Sequence, residues 1–239
     1  MSTLILRLAA PLQAWGLDNK FGRRGTMREP TKSGVIGLLA AALGRSRDDD
    51  MDDLSSLRFG VRIDQPGQLL RDYHTASYDK NKPPYVTERY YLSDAVFVVG
   101  LEGNELFLKD LDEALLNPIF PLYLGRRSCP PSGELSLGIQ ELQLEEALFN
   151  VEWKAGDWYK RRIKENPRLT LVLDAKQPGM LSRQDLPLSF SQSHRKYSLR
   201  YVDDKAEAVS VSNDYMNKVF ETEHDPLMGL EDEHVSVKD

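Results

Sequence analysis

DAVFVVGL, residues Asp94–Leu101, is the stretch on which the fold turns. Its apolar residues are continuous rather than alternating, which predicts a short strand covered on both faces. Upstream, Phe59, Val61 and Ile63 alternate with Gly60 and Arg62, and Leu4, Leu6 and Leu8 alternate with Ile5 and Arg7, the period of two of strands. Between them VIGLLAAALG (Val35–Gly44) is apolar on nearly every side and predicts a buried helix starting near Thr31 or Ser33 and stopped by Gly44. Downstream, KDLDEALLNP (Lys109–Pro118) puts Leu111, Ala114 and Leu115 at helical spacing, and strands are expected around Tyr123 and in ELSLGIQEL (Glu134–Leu142). The order strand, helix, strand, strand, helix, strand predicts an α+β fold, ferredoxin-like and akin to RNA-recognition modules, with helices on one face of an antiparallel sheet.

The link from Gln65 to Ser93 is too long for a hairpin loop. Its segment DYHTASYDKNKPPYVTERYY reads either as a projecting arm at about residues 66–92 or as a surface insert without structure. The division expected is a domain over 1–145 bearing the arm, and a β-rich C-terminal lobe with an acidic tail over 146–239. That lobe contains DWYKRRIKENP (Asp157–Pro167), the apolar LTLVLD (Leu169–Asp174) and SHRKYSLRYV (Ser193–Val202). Lys160, Arg161, Arg162 and Lys164 form either a second basic patch or a solvated helix end.

The chain has 239 residues, 41% hydrophobic, and a single cysteine, Cys129, so no internal disulfide framework exists. The apolar start LILRLAA is broken by Arg7 and too short to span a bilayer, which reads as a cytoplasmic protein away from membranes. Net charge is −6, the wrong sign for a general nucleic-acid binder, but charge is distributed unevenly. Lys20, Arg23, Arg24, Arg28 and Lys32 crowd one segment, while acids collect in RDDDMDD (Arg47–Asp53) and beyond Glu221. A confined basic strip on an acidic chain suits a protein that grips a short nucleic-acid segment and meets protein elsewhere.

Several chemistries fail on spacing. A phosphate-wrapping loop needs glycines where Thr26 and Thr31 stand before Lys32 and Ser33; the helix N-terminus there is expected to seat a single backbone phosphate instead. Four histidines and one cysteine lack ligand spacing, so no metal and no cofactor is expected. One catalytic reading has some chemistry behind it, metal-independent RNA cleavage with His74 or His194 as base; for His74 the plainer role is bracing the arm.

PLYLGRRSCPP (Pro121–Pro131) holds two adjacent arginines between a glycine hinge and a proline stop, and LILRLAAPLQAWG (Leu4–Gly16) runs from a strand into Gln13 and Trp15. With PTKSGVIGLLAAALG (Pro30–Gly44), LRDYHTAS (Leu70–Ser77) and RYYLSDAVFVV (Arg89–Val99) in the same order, the chain resembles the CasD family, RAMP-superfamily subunits of the type I-E CRISPR Cascade complex. The resemblance covers roughly the first 140 residues; beyond Glu141 only ALFNVEW (Ala147–Trp153) is loosely alike.

It implies a non-catalytic subunit of the antiviral surveillance complex that caps the 5′ handle of the CRISPR RNA. It also implies partners in the Cascade backbone and large subunits, target DNA reached through the assembly, cleavage left to a separate subunit, and a protruding thumb at the arm. On that footing Arg126, Arg127 and Ser128 are expected to meet RNA from a loop whose Gly125 permits close approach. Arg23, Arg24, Arg28, Lys32 and Ser33 extend the track, with Gln13, Tyr73, His74, Arg89 and Tyr90 beside it. Trp15 either stacks on a base or belongs to the core. No aromatic ribonucleoprotein signature marks the third strand, so loops and arm, rather than the sheet face, are expected to read the RNA.

Overall fold

The computed structural model describes residues 1–16, 19–20, 22–77, 83–175, 177–179, 181–203 and 209–215. In chain order the N-terminal elements are β1 (Ser2–Ala9), β2 (Leu12–Gln13), β3 (Asn19–Lys20), β4 (Arg23–Arg24), α1 (Lys32–Ala42), α2 (Asp52–Ser56) and β5 (Arg58–Gln65). The middle holds β6 (Gln68–Ala76), β7 (Tyr85–Ser93), β8 (Val96–Gly103), α3 (Glu105–Leu116) and β9 (Ser136–Gln140). Then come α4 (Leu144–Asn150), α5 (Asp157–Arg162), β10 (Arg168–Asp174), β11 (Ser182–Ser189), β12 (Lys196–Asp203) and β13 (Val209–Ser210).

The architecture is mixed α/β with a mostly antiparallel main sheet, ordered β11-β12-β10-β5-β8-β1-β9, with β13 on β10. Alternation along β1 sends Leu4, Leu6 and Leu8 into a core shared with Phe97, α1 and α3. It sends Ile5, with Val98 of β8, to the opposite face beneath Leu144 and Leu148 of α4. Helices therefore cover both faces, not one, which is why β8 reads as a continuous apolar run. Arg62 points to the α4 side, fully buried, and its guanidinium closes that helix's C-terminal end by donating to the carbonyls of Leu148 and Val151 (2.6 Å each) while pairing with Asp64 at 2.7 Å.

Three local expectations shift. Helix α3 starts at Glu105, because Asn104 caps it by accepting from the Leu106 and Phe107 amides. No strand forms around Tyr123: positive φ at Gly125 and the turn bond from Cys129 N–H to Arg126 O make this stretch a loop. Helix α4 straddles the boundary expected near 145, and β10 beyond it pairs with β5 residue for residue from Thr170↔Ile63 to Leu173↔Gly60, so the main sheet runs on across that boundary.

A second sheet stands at the end of the first, ordered β2-β7-β4-β3 with β6 paired to β7. β6 and β7 form a long hairpin in register from Gln68↔Ser93 to Ala76↔Tyr85, continuing β5 and β8 beyond the main sheet. The part of the expected arm at 78–82 and the acidic tail from 216 lie outside the described residues. Among the described residues no helix is long and apolar enough to cross a membrane.

Candidate nucleic-acid interface

The loop PLYLGRRSCPP and the end of LILRLAAPLQAWG are neighbours in space. Ala14 N–H donates to Leu124 O at 3.1 Å, and Leu124 N–H donates to Cys129 O at 2.7 Å, closing the loop on itself. Gly125 has φ +85°, and a Cβ there would overlap the Ala14 carbonyl, so only glycine fits. Pro130 and Pro131 then lead the chain away.

Beneath the loop lies Trp15, 1% exposed, whose indole N–H donates to Gln13 Oε1 at 3.1 Å. Gln13, fully buried, spends its amide on Ala95 O at 2.7 Å and Leu8 O at 3.2 Å. Helix α1 crosses the Trp15 ring so closely that a Cβ on Gly34 would meet it at 2.8 Å. The expectation that Gln13 and Trp15 face RNA is thus corrected: both are committed to the interior and set the spacing between β1, α1 and the loop.

Lys32 also turns inward. Its Nζ donates to Leu57 O at 2.7 Å and pairs with Asp174 at 3.0 Å, and its backbone N–H donates to Asp185 at 2.9 Å. Arg200 completes a buried quartet by bonding Asp185 at 2.6 Å and Asp174 at 2.7 Å. The N-terminus of α1 therefore holds a carboxylate of the chain itself, not an open phosphate seat. Ser33 remains in the cleft wall.

The basic strip is pinned to the hairpin. β4 lies parallel to β7, Arg23 opposite Glu88 and Arg24 opposite Arg89. On one face of β7 Arg23 reaches the Tyr90 hydroxyl at 3.2 Å and lies over its ring, 5.1 Å from the centroid. On the other face Arg126 stacks over Tyr91 at 4.5 Å and donates to the carbonyls of Arg24 (2.9 Å) and Gly25 (3.3 Å). Burial pushes the Tyr91 phenol up, but Arg126, Ser128 and Arg89 around its hydroxyl outweigh that and hold it below the usual range. Nη1 of Arg126 and Nε of Arg89 are buried without a hydrogen-bond partner among the described residues.

Six of the expected residues, Arg23, Arg24, Arg89, Tyr90, Arg126 and Ser128, thus converge where loop, strip and hairpin meet. Arg127 and Arg28 are exposed, without side-chain partners among the described residues. Tyr73 and His74 stand apart on β6, Tyr73 58% exposed and His74 engaged by Asp72 on the same strand. His194 is bonded to Ser193 at 2.8 Å on the turn between β11 and β12. Lys20 belongs to the two-residue β3.

These parts border a cleft of about 1130 Å³ between the loop, α1 and the β11–β12 turn. Arg24, Arg45, Arg47, Arg126, Arg127 and Arg195 line it, with Phe120, Tyr123, Phe190 and Tyr197, and no carboxylate side chain is among its described lining residues. Arg45 is partly neutralised by Asp53, which raises the guanidinium's pKa further; the other arginines leave the wall strongly positive. The volume exceeds the roughly 300–1,000 Å³ of small-molecule sites. A cationic wall with interleaved aromatics suits the phosphates and splayed bases of a single strand. Arg45, Arg47, Arg195, Phe190 and Tyr197 escaped sequence reasoning: the first two adjoin the acidic run, and the others come from SHRKYSLRYV and its approach, where only the Arg-Lys pair hinted at them.

A family model described as CRISPR-associated protein (Cas_Cas5) matches residues 3–203, well beyond the roughly 140 residues covered by the ordered motifs. The chain is 43% identical over 202 residues to the "CRISPR system Cascade subunit CasD" of Escherichia coli (strain K12), covering 71% of this chain and 90% of that protein. Among solved structures, "Crystal structure of Cas protein" superposes with a TM-score of 0.70 at 40% identity over 89% of this chain and 99% of the other. A chain of a "CRISPR RNA-guided surveillance complex" does so with a TM-score of 0.73 at 32% identity over 90% and 96%.

Proposed function

Since the chain belongs to the CRISPR-associated protein (Cas_Cas5) family, we propose that it is a non-catalytic subunit of a type I-E Cascade surveillance complex that binds and caps the 5′ handle of the CRISPR RNA. The observation that carries this reading is the arginine-lined cleft with no carboxylate in its described wall, built where the loop at Gly125 and Arg24 of the basic strip meet α1 and the β11–β12 turn. Phosphates are held by Arg24 and Arg127, which have no internal side-chain partner among the described residues, and by Arg28 along the strip. Arg126 locks the loop through its bonds to the Arg24 and Gly25 carbonyls and adds its positive charge to the cleft wall. Gly125 and Ser128 set the loop's approach.

The core is read as a ferredoxin-like RAMP domain. Support comes from the β5-β8-β1-β9 order and from the α1 and α3 side chains packed in one core. The β6–β7 hairpin is its arm, on which Tyr73, His74, Arg89 and Tyr90 extend the RNA surface. The backbone and large subunits of the complex are the protein partners, and target DNA is met through the assembly in the cytoplasm.

The test is charge reversal at Arg24 and Arg127 together, followed by co-purification with the other subunits and CRISPR RNA. Loss of RNA-containing complex is the expected result. Assembly with full RNA content would refute the reading and leave the chain a scaffold whose RNA contacts are incidental.

A further inference from the structure

Of the residues assigned to RNA above, Arg24, Gly125, Arg126 and Arg127 line one wall of the cleft. The opposite wall is made by β11, β12 and their connecting turn, from which Phe190, Arg195 and Tyr197 reach the cleft. Phe190 and Tyr197 meet edge to face, centroids 6.4 Å apart at 69°. Phe190 rests on α1 at Gly37, its Cζ 3.8 Å from where a Cβ would sit. Both rings are only partly buried, and Arg195 is exposed with no side-chain partner among the described residues.

This wall is fixed before any ligand arrives. Arg200 of β12 bonds Asp185 of β11 and Asp174 of β10 inside the molecule, Asp185 also accepts the first amide of α1, and Ser55 holds Pro187 O at 3.0 Å. A rigid aromatic seat loses little freedom on binding. A half-exposed ring beside an unpaired guanidinium is the chemistry that takes an unstacked base: the ring offers a face, the guanidinium a second plane and a positive charge for the adjoining phosphate. An apolar protein partner would leave Arg195 of this wall, and Arg47 from the α1–α2 loop in the same cleft, unpaired.

We infer that Tyr197, supported by Phe190 and flanked by Arg195, is the seat of one splayed nucleobase of the bound single-stranded RNA, whose phosphates follow the Arg24–Arg127 wall across the cleft. This rests on the RNA-cap reading above and adds to it a base-holding jaw from the C-terminal strands.

The experiment uses the full chain and 5′-handle RNAs carrying 2-aminopurine at one handle position at a time. Wild type is expected to change the fluorescence of one position far more than its neighbours. Tyr197→Ala should abolish that change and weaken binding about 5- to 160-fold, the worth of one stacked base, whereas Tyr197→Phe, which keeps the ring, should preserve both. Arg195→Ala, at an exposed position, should weaken binding without moving the melting temperature, which keeps the test valid if Tyr197→Ala folds poorly. Wild-type affinity and an unchanged fluorescence profile in Arg195→Ala and Tyr197→Ala would overturn the jaw while leaving the cap reading intact. Failure of the wild-type chain to prefer handle RNA over a scrambled strand would remove the cap reading and the jaw with it.

Discussion

The Ala14 carbonyl occupies the space into which any side chain at Gly125 would project, so the end of the first strand and the arginine loop fit together only with glycine at the contact. Gly125→Ala is expected to break this joint. The left-handed backbone alone costs a non-glycine residue about 1–3 kcal/mol, and the overlap forces the loop off Ala14 as well. Thermal melting should show the lower stability, and RNA titration should show a larger loss of affinity than the same destabilisation placed elsewhere causes.

Arg126 and Arg127 are adjacent but not equivalent. Arg127→Ala removes an exposed cation and should leave the melting temperature unchanged while flattening the slope of log affinity against log salt by about 0.7, one single-strand phosphate contact. Arg126→Ala should reduce both affinity and stability, because the guanidinium also bridges Arg24 O, Gly25 O and the Tyr91 ring. Equal melting temperatures for the two variants would contradict this division.

The buried quartet of Lys32, Asp174, Asp185 and Arg200 ties the far wall of the cleft to the start of α1. Arg200→Met leaves Asp174 with Lys32 but strips Asp185 of its side-chain cation, and removing one partner of a buried pair costs about 3–5 kcal/mol. For a chain of this size that is a fall of about 6–20 °C in melting temperature. Denaturant unfolding of the variant checks the free energy directly.

Burial pushes the Cys129 thiol above its ordinary value, against the smaller opposing pull of Ser128 and Arg126. Because the folded value is raised, the unfolded thiol loses its proton first as pH climbs, so stability should fall from about pH 8.5, the free thiol's value, up to the folded one. Cys129→Ala should remove that part of the fall, which sets in at about pH 8.5. At pH 8 iodoacetamide should modify the folded chain far more slowly than the unfolded chain.

Periodicity made β1, β5, β8 and α1 legible, since each carries its burial pattern within a few neighbours. The Tyr123 strand failed because Leu122 and Leu124 alternate as strand residues do, while the positive φ at Gly125 and the bond to Ala14 that bend this stretch are not local to it. Lys32 looked like an anion seat for a similar reason: the carboxylate that fills the place, Asp185, comes from 153 positions away. The arginine loop and the basic strip were visible as motifs. The wall they face was not, because Phe190, Arg195 and Tyr197 reach it only through the sheet order that sets β12 beside β10.

The most direct measurement mixes the purified chain with end-labelled CRISPR repeat RNA, carrying either the intact or a scrambled 5′ handle, and resolves one reaction on native and denaturing gels. A handle-binding cap gives a shifted band that depends on the handle, with RNA of unchanged length. RNA shortened at a fixed site, with the cut abolished by His74→Ala or His194→Ala, would contradict it and make this chain a processing ribonuclease.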